Sequence, residues 1–320
     1  MTAPRPEVTV IIATRNRAHD VGRAVERLVE QRTGGRFTYE ILVVDNGSTD
    51  QTRDVVQALQ ARFDNVRYLF EPTAGKPWAL NRGIREAQGE LLAFTDDDLL
   101  AEPTWLLGLW QALQDGAEAV TGRVLPCWLG RRPDWLTDGA VRRLGLGCID
   151  YGTRRRTPAE GDCRWVGGSL AMRRDVAERI GPFNVRLHRE EDTNYYRRCL
   201  LQGVRIMYEP SSVTYHQVGQ ERTTPAYFRR WNRLAGYYRV HQLEWKPSHV
   251  FTVMPLWRAG ITLQRVKAWL NTVMHRQPWW NRFDAELRVW EDLGLWWHRL
   301  QLWPRWALAC VLGRPYVERD

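Results

Sequence analysis

Two short apolar runs, Val8-Thr9-Val10-Ile11-Ile12-Ala13 and Glu40-Ile41-Leu42-Val43-Val44-Asp45, each end abruptly in polar residues. Runs of this length, rich in β-branched side chains, predict strands buried on both faces. Between them Val21, Ala24, Val25, Leu28 and Val29 recur at helical spacing behind Asp20. That predicts an amphipathic helix capped by the aspartate. Val66–Phe70 and Leu91–Thr95 repeat the strand pattern, and Gln51–Arg62 and Trp78–Ala87 the helical one. Strands alternating with helices predict right-handed βαβ units and a mostly parallel, Rossmann-like central sheet flanked by helices. The polar clusters Thr14–Arg17, Asp45–Asp50 and Asp96–Asp98 all follow strand ends, so they are expected to share the crevice at the sheet's carboxyl edge.

Past residue 120 the pattern loosens. Residues 126–162 are rich in Gly, Pro and Arg and predict irregular structure, including a basic loop, Arg154-Arg155-Arg156. Glu190–Gln202 predicts a helix, and Val204–Tyr208 and Val213–His216 two short strands. Thr224-Pro225 marks a helix start with proline in first position, and Tyr227, Trp231, Leu234 and Tyr238 follow at helical spacing. Trp257, Ile261, Val266, Trp269 and Val273 form a second such series, and tryptophans continue through Trp306.

Composition places this chain among globular proteins: of 320 residues, 44% are hydrophobic and 26% charged. The net charge of +9 is unevenly placed, since residues 221–320 hold 16 Lys and Arg against 8 Asp and Glu. Eleven of the 17 tryptophans lie there too. A basic, helical, Trp-rich extension is therefore expected over 221–320, suited to an anionic membrane surface or to packing, including as a homodimer. Nucleic acid is not an expected partner, because no nucleic-acid motif accompanies the charge. No stretch reaches the roughly 18 uninterrupted apolar residues of a membrane-crossing helix. Met1–Pro6 lacks the pattern of a signal peptide, so a cytoplasmic protein is expected, at most peripheral on the inner face of the membrane. Five scattered cysteines with no CxxC spacing read as structural thiols of a reducing compartment.

Three carboxylates in Asp96-Asp97-Asp98, directly behind a buried strand, repel one another unless a cation or strong donors compensate. In an extended segment Asp96 and Asp98 share a face, while Asp97 points away. Hard oxygen ligands of this kind suit Mg²⁺ or Mn²⁺ together with phosphate oxygens. Asp45 can accept hydrogen bonds from a base or ribose, or serve its own turn. Arg15, Lys76 and Arg82 are candidates for phosphate contact. His216 is either a ligand to ion or diphosphate or a packed histidine. Glu191-Asp192 opens a helix, where acidic residues also stabilise the dipole.

Several of these segments together resemble glycosyltransferase family 2. They are Val10–Asn16, Val43–Asp50, Gly75–Gly83, Leu92–Asp98, Val166-Gly167-Gly168-Ser169, and Gly181-Pro182-Phe183-Asn184 followed by Glu191-Asp192 and Arg197-Arg198. The resemblance covers residues 7–218 and implies a GT-A catalytic domain over 1–220. Its nucleotide-sugar half is expected over 1–125 and its acceptor half over 126–220. It implies a nucleoside-diphosphate sugar donor, a saccharide or lipid-linked saccharide acceptor, Mg²⁺ or Mn²⁺, and inversion at the anomeric carbon. Carried over by motif, Thr14, Arg15, Asp45 and Asp97 belong to the nucleotide and donor pocket, Asp96 and Asp98 to the metal-binding DxD, and Asp192 is the general base. Trp165, Gly167, Gly168 and Glu191 fall on the acceptor and sugar side. The chain departs from the family pattern at Leu99 and Asn194, where acidic residues are common. A nucleotidyltransferase, and an inactive sugar- or nucleotide-binding module, are the alternatives; the first normally carries a Gly-rich phosphate loop where this chain has Thr14-Arg15-Asn16-Arg17.

Overall fold

The computed structural model describes residues 5–144, 146–157, 167–187, 190–242 and 254–311. They form two compact units, one from Met1–Arg131 and Val141–Gly219, the other from Arg132–Ala140 and Gln220–Asp320.

The first unit is built on one sheet. Its first half alternates strand and helix: β1 (Val8–Thr14), α1 (Ala18–Val29), β2 (Tyr39–Asp45), α2 (Thr52–Arg62), β3 (Val66–Phe70), α3 (Lys76–Glu86) and β4 (Leu91–Asp96). Then follow β5 (Leu99–Ala101), α4 (Trp105–Gln114), β6 (Ala119–Trp128), α5 (Asp138–Leu144), β7 (Leu170–Arg173), α6 (Arg174–Ile180), α7 (Glu191–Leu201) and β8 (Ile206–Val218). The strand order is β3-β2-β1-β4-β7-β6-β8-β5. β3, β2, β1 and β4 run parallel, whereas β7 is antiparallel to both β4 and β6.

Side-chain alternation explains the layers. Val10, Ile12, Ile41 and Val43 face one side, under α1, α2 and α4; Ile11, Ala13, Leu42 and Val44 face the other, with α3, α6 and α7. All seven residues of β1 are buried, as an apolar run in mid-sheet requires.

Three sequence expectations change. The α1 helix begins at Ala18, so Asp20 lies in its first turn and does not cap it. Asp50 of the β2–α2 turn does so instead, its Oδ2 accepting from the Ala18 amide at 3.2 Å while Oδ1 accepts from the Thr52 amide at 3.0 Å. The two strands expected over 204–216 are one, β8, bulged against β6 between Gly122 and Arg123. Pro210 and the Glu209 carboxylate, which accepts from the Ser211 amide, make the kink that reads as a break. The segment expected to be irregular carries the end of β6 and all of α5. Its basic loop is paired rather than free: Arg155 contacts Glu209 and Asp115, and Arg156 lies 5.0 Å over the Tyr151 ring.

The second unit is helical: α8 (Pro225–Gln242) and two later helices, Met254–Met274 and Trp279–Val311. Thr224 caps α8, its Oγ1 accepting from the Tyr227 amide at 3.2 Å. Phe228 of α8 is buried, at 1% exposure, whereas Trp231 is 39% exposed. Phe228 packs edge-on to Trp135 and Phe283, and Trp279 stacks on Phe283. The buried Asp292 is held by Arg265 at 2.8 Å. No helix among the described residues is long and apolar enough to cross a membrane.

Candidate active site

Parallel strands end together, and three of the polar clusters meet beyond those ends. Thr14 closes β1, Asp45 closes β2 and Asp96 closes β4, with Thr14 paired to Asp45 and Ala13 to Asp96 in register. Asp97 is buried and its Oδ2 accepts from Thr14 Oγ1 at 2.8 Å. Burial raises the Asp97 carboxyl to about 7, with the charges of Asp98 and Asp96 adding and Arg17 and Thr14 opposing. Arg17 Nη1 lies 3.1 Å from Asp98 Oδ2 and 3.8 Å from Asp97 Oδ1.

A second cation joins the two halves of the crevice. Lys76 Nζ, in the first turn of α3, lies 2.6 Å from Asp96 Oδ1 and 3.4 Å from Glu191 Oε1 at the start of α7. Burial disfavours the Lys76 charge, but Asp96, Glu191 and Asp192 outweigh it and hold the ammonium well above its ordinary range. The helix that presents Lys76 is fixed by Asn46, whose Oδ1 accepts from the Gly75 amide at 2.7 Å and whose Nδ2 donates to Thr73 O at 2.6 Å.

Asp192 keeps some solvent exposure although its carboxyl is enclosed by protein. Its Oδ2 accepts from the Gly167 amide at 2.8 Å and its Oδ1 from the Thr193 amide at 2.7 Å. Burial and the neighbouring Glu191 charge raise it to about 7, with Lys76 and the two amides opposing. Gly167 and Gly168 run between the two acids. A Cβ at Gly167 would lie 3.4 Å from Asp192 Cβ, and one at Gly168 would lie 3.1 Å from Asp96 Oδ2 and 2.1 Å from Leu99 Cδ1. A side chain at Gly168 would have to displace the end of Leu99 and crowd Asp96, whereas Gly167 has room for a Cβ.

His216 enters from β8, which pairs with β5 so that His216 sits opposite Leu99. Its Nε2 lies 3.5 Å from Asp98 Oδ2. Cis ligands of an octahedral ion with bonds of about 2.1 Å sit about 3 Å apart; this pair stands 3.5 Å apart, with Arg17 on the same Asp98 oxygen. Asp96, Asp98 and His216 do not form a three-ligand cage; among the described residues no group of three His, Cys, Asp or Glu side chains converges on an ion site. Two protein ligands, with phosphate oxygens and water completing the shell, are characteristic of Mg²⁺-type sites.

Asp45 is buried, with Oδ2 accepting from Tyr68 OH at 2.9 Å and Oδ1 from the Ser48 amide at 2.9 Å. Its turn role and its place at the crevice therefore coexist. The Tyr68 phenol rises to about 12 through burial and the Asp45 carboxylate.

The family model described as Glycosyl transferase family 2 matches residues 9–181, more than half of the chain. The chain belongs to glycosyltransferase family 2. It is 28% identical over 218 residues to glycosyltransferase AglE of Haloferax volcanii, covering 68% of each protein. It is 34% identical over 158 residues to validoxylamine A glucosyltransferase of Streptomyces hygroscopicus, covering 45% of this chain and only 36% of that one. The fold matches the mannosyltransferase PcManGT of Pyrobaculum calidifontis, solved with GDP-Man and Mn²⁺, with a TM-score of 0.53 at 20% identity over 96% of this chain and 76% of that one. The expected GT-A architecture is thus the observed one, and membership of the family makes the protein a glycosyltransferase.

Within this family-2 glycosyltransferase the crevice gathers Thr14, Lys76, Asp96, Asp97, Asp98, Gly167, Gly168, Glu191, Asp192 and His216. Two expected residues are not drawn in. Arg15 is exposed, and Arg82 pairs with Glu86 at 3.9 Å along its own helix. Trp165 lies outside the described residues. The sequence pattern points to Arg15 for the nucleotide pocket and gives Arg17 no role of its own, yet Arg17 is the arginine beside the acids. The left-handed turn at Asn16, φ 54°, separates the two arginines, and asparagine, which takes that conformation more readily than most residues, is the local signal for it.

Proposed function

We propose that this chain catalyses inverting transfer of a sugar from a nucleoside-diphosphate sugar to a hydroxyl of a saccharide or lipid-linked saccharide, in polysaccharide or glycolipid biosynthesis. The observation that carries this reading is the single ammonium of Lys76 touching Asp96 on the donor side and Glu191, next to Asp192, on the acceptor side. Donor acids and base candidate thus lie within one side chain's reach.

In this reading Asp192 accepts the proton of the acceptor hydroxyl while that oxygen bonds to the anomeric carbon, opposite the diphosphate. The bond from carbon to diphosphate oxygen breaks, its electron pair leaves with the nucleoside diphosphate, and the centre inverts. A carboxylate has about four acceptor positions, and the two amides use one on each oxygen. Arg17 and Lys76 supply positive charge toward the diphosphate, and Asp45 with Tyr68 orients the nucleoside. Asp98 and His216, with Asp96 beside them, would hold Mg²⁺ or Mn²⁺, which supplies Lewis acidity that offsets charge on the leaving diphosphate. The Mn²⁺ of PcManGT supports this choice.

The domain reading follows: catalysis in residues 1–220, and in 221–320 a surface for an anionic bilayer at the inner face of the cell membrane. Leu263, Leu270 and Met274 are exposed at helical spacing with Lys267 among them, and Trp280 and Trp297 are 47% and 60% exposed. Aromatic and basic side chains together suit a bilayer interface, where a lipid-linked acceptor resides.

The test is a panel of nucleotide sugars assayed for Mn²⁺- or Mg²⁺-dependent release of nucleoside diphosphate. Release with at least one donor, abolished by chelator, is expected. Nucleotide binding without turnover across the panel would leave only a binding module.

A further inference from the structure

We propose that the Leu146-Gly147 turn is a positioning clamp that fixes the His216 ring with a hydrogen on Nδ1 and with Nε2 turned toward Asp98. The proposal rests on the reading of Asp98 and His216 as ligands of a divalent ion, and adds residues that no motif marks.

His216 is buried, and its Nδ1 lies 2.6 Å from the Leu146 carbonyl oxygen. A carbonyl only accepts, so Nδ1 carries the hydrogen and donates. The other ring nitrogen, Nε2, lies 3.5 Å from Asp98 Oδ2. A ring nitrogen tied to a backbone carbonyl is the usual means by which proteins orient a metal-binding imidazole and raise its basicity as a ligand. In the opposite tautomer the Nδ1 lone pair would face the Leu146 oxygen at that distance.

The next residue closes the clamp sterically. Gly147 has φ +72°, and a Cβ there would lie 2.9 Å from both Nδ1 and Cε1 of His216. The ring is thus packed directly against the backbone of Gly147 along its Nδ1–Cε1 edge. Any side chain at 147 has to push the imidazole, and moving the ring breaks the bond to Leu146. Leu146 is itself 5% exposed, which anchors the turn that presents the carbonyl. Gly152, nearby in the chain, also has a left-handed φ of +89°, yet nothing lies within 4 Å of a Cβ built on it. It carries the backbone constraint without the contact, and so serves as the control.

Two measurements test the clamp. In metal-free protein, long-range ¹H–¹⁵N correlation of the His216 ring reads the tautomer directly. The form with hydrogen on Nδ1 is expected, and hydrogen on Nε2 alone would overturn the proposal even if the variants failed to fold. Metal-free protein is then titrated with Mn²⁺ alone, the free ion being followed by electron paramagnetic resonance. Gly147→Ala is expected to weaken Mn²⁺ binding about 10–100-fold, the usual loss when an outer-shell partner is disturbed. Gly152→Ala is expected to leave it unchanged. Unaltered binding in Gly147→Ala, or an equal loss in Gly152→Ala, overturns the clamp. His216→Ala separates the two ideas: unchanged Mn²⁺ binding there removes the ion reading itself, whereas loss there with none in Gly147→Ala removes only the clamp.

Discussion

A carboxyl group acting as general base must be ionised when the acceptor arrives, and the surroundings of Asp192 resist that. With the group raised to about 7 by burial and by Glu191, kcat/KM is expected to climb about tenfold per pH unit below that value and level off above it. Asp192→Asn is expected to lose about 10²–10⁴ in kcat and the pH dependence with it, as steady-state assays would read. Stability moves the other way. The folded protein keeps a proton that an unfolded chain releases at about its model value of 3.8, so stability falls as pH rises from there to about 7 and is then level. Asp192→Asn should flatten that fall in a series of melting temperatures, and an unchanged slope would assign it to other groups. At this scale the acid triplet was visible behind its strand, whereas Asp192 was singled out only by the family motif, because an acid at a helix start equally suits the dipole. Arg17 was not legible, since a left-handed Asn16 decides which arginine turns inward.

The parallel core was legible as elements because each strand is an unbroken apolar run and each helix a period. The rest was legible only in part: β8 read as two short strands on either side of Pro210, and β5, with three residues, and β7, with four, are too short to show a period. Those are the elements that bring His216 to Asp98 and lay the glycine strap between the acids. The strap is anchored where α4 meets β7: Trp105 Nε1 donates to Ser169 Oγ at 2.9 Å, and the Gly122 amide to Ser169 O at 2.9 Å, all fully or nearly buried. Trp105→Phe removes a donor from a buried hydroxyl and leaves a void. Urea denaturation is expected to show a loss of about 1–3 kcal/mol from the unsatisfied group alone. A variant as stable as the parent would mean that the Ser169 hydroxyl finds another partner.

Across the whole molecule, charge is segregated: eight of the nine net positive charges belong to residues 221–320. Co-flotation with vesicles containing phosphatidylserine is expected at low salt and should fall steeply toward 0.5 M salt, where screening shortens to roughly a few ångströms. Replacing Trp280 and Trp297 by Ser should weaken it further. No flotation at any salt, with a dimer in analytical ultracentrifugation, would instead assign the apolar stripe to a second copy of the chain. The Lys76 bridge has its own consequence on this scale. One ammonium shared by Asp96 and Glu191 makes the two halves of the crevice thermodynamically interdependent, because whatever neutralises Asp96 changes the field at Glu191 and Asp192. Donor occupancy should therefore alter acceptor affinity, and acceptor occupancy must alter donor affinity by the same factor. A Lys76→Gln enzyme should lose this coupling, so that the affinity for donor no longer changes with acceptor present in equilibrium titration.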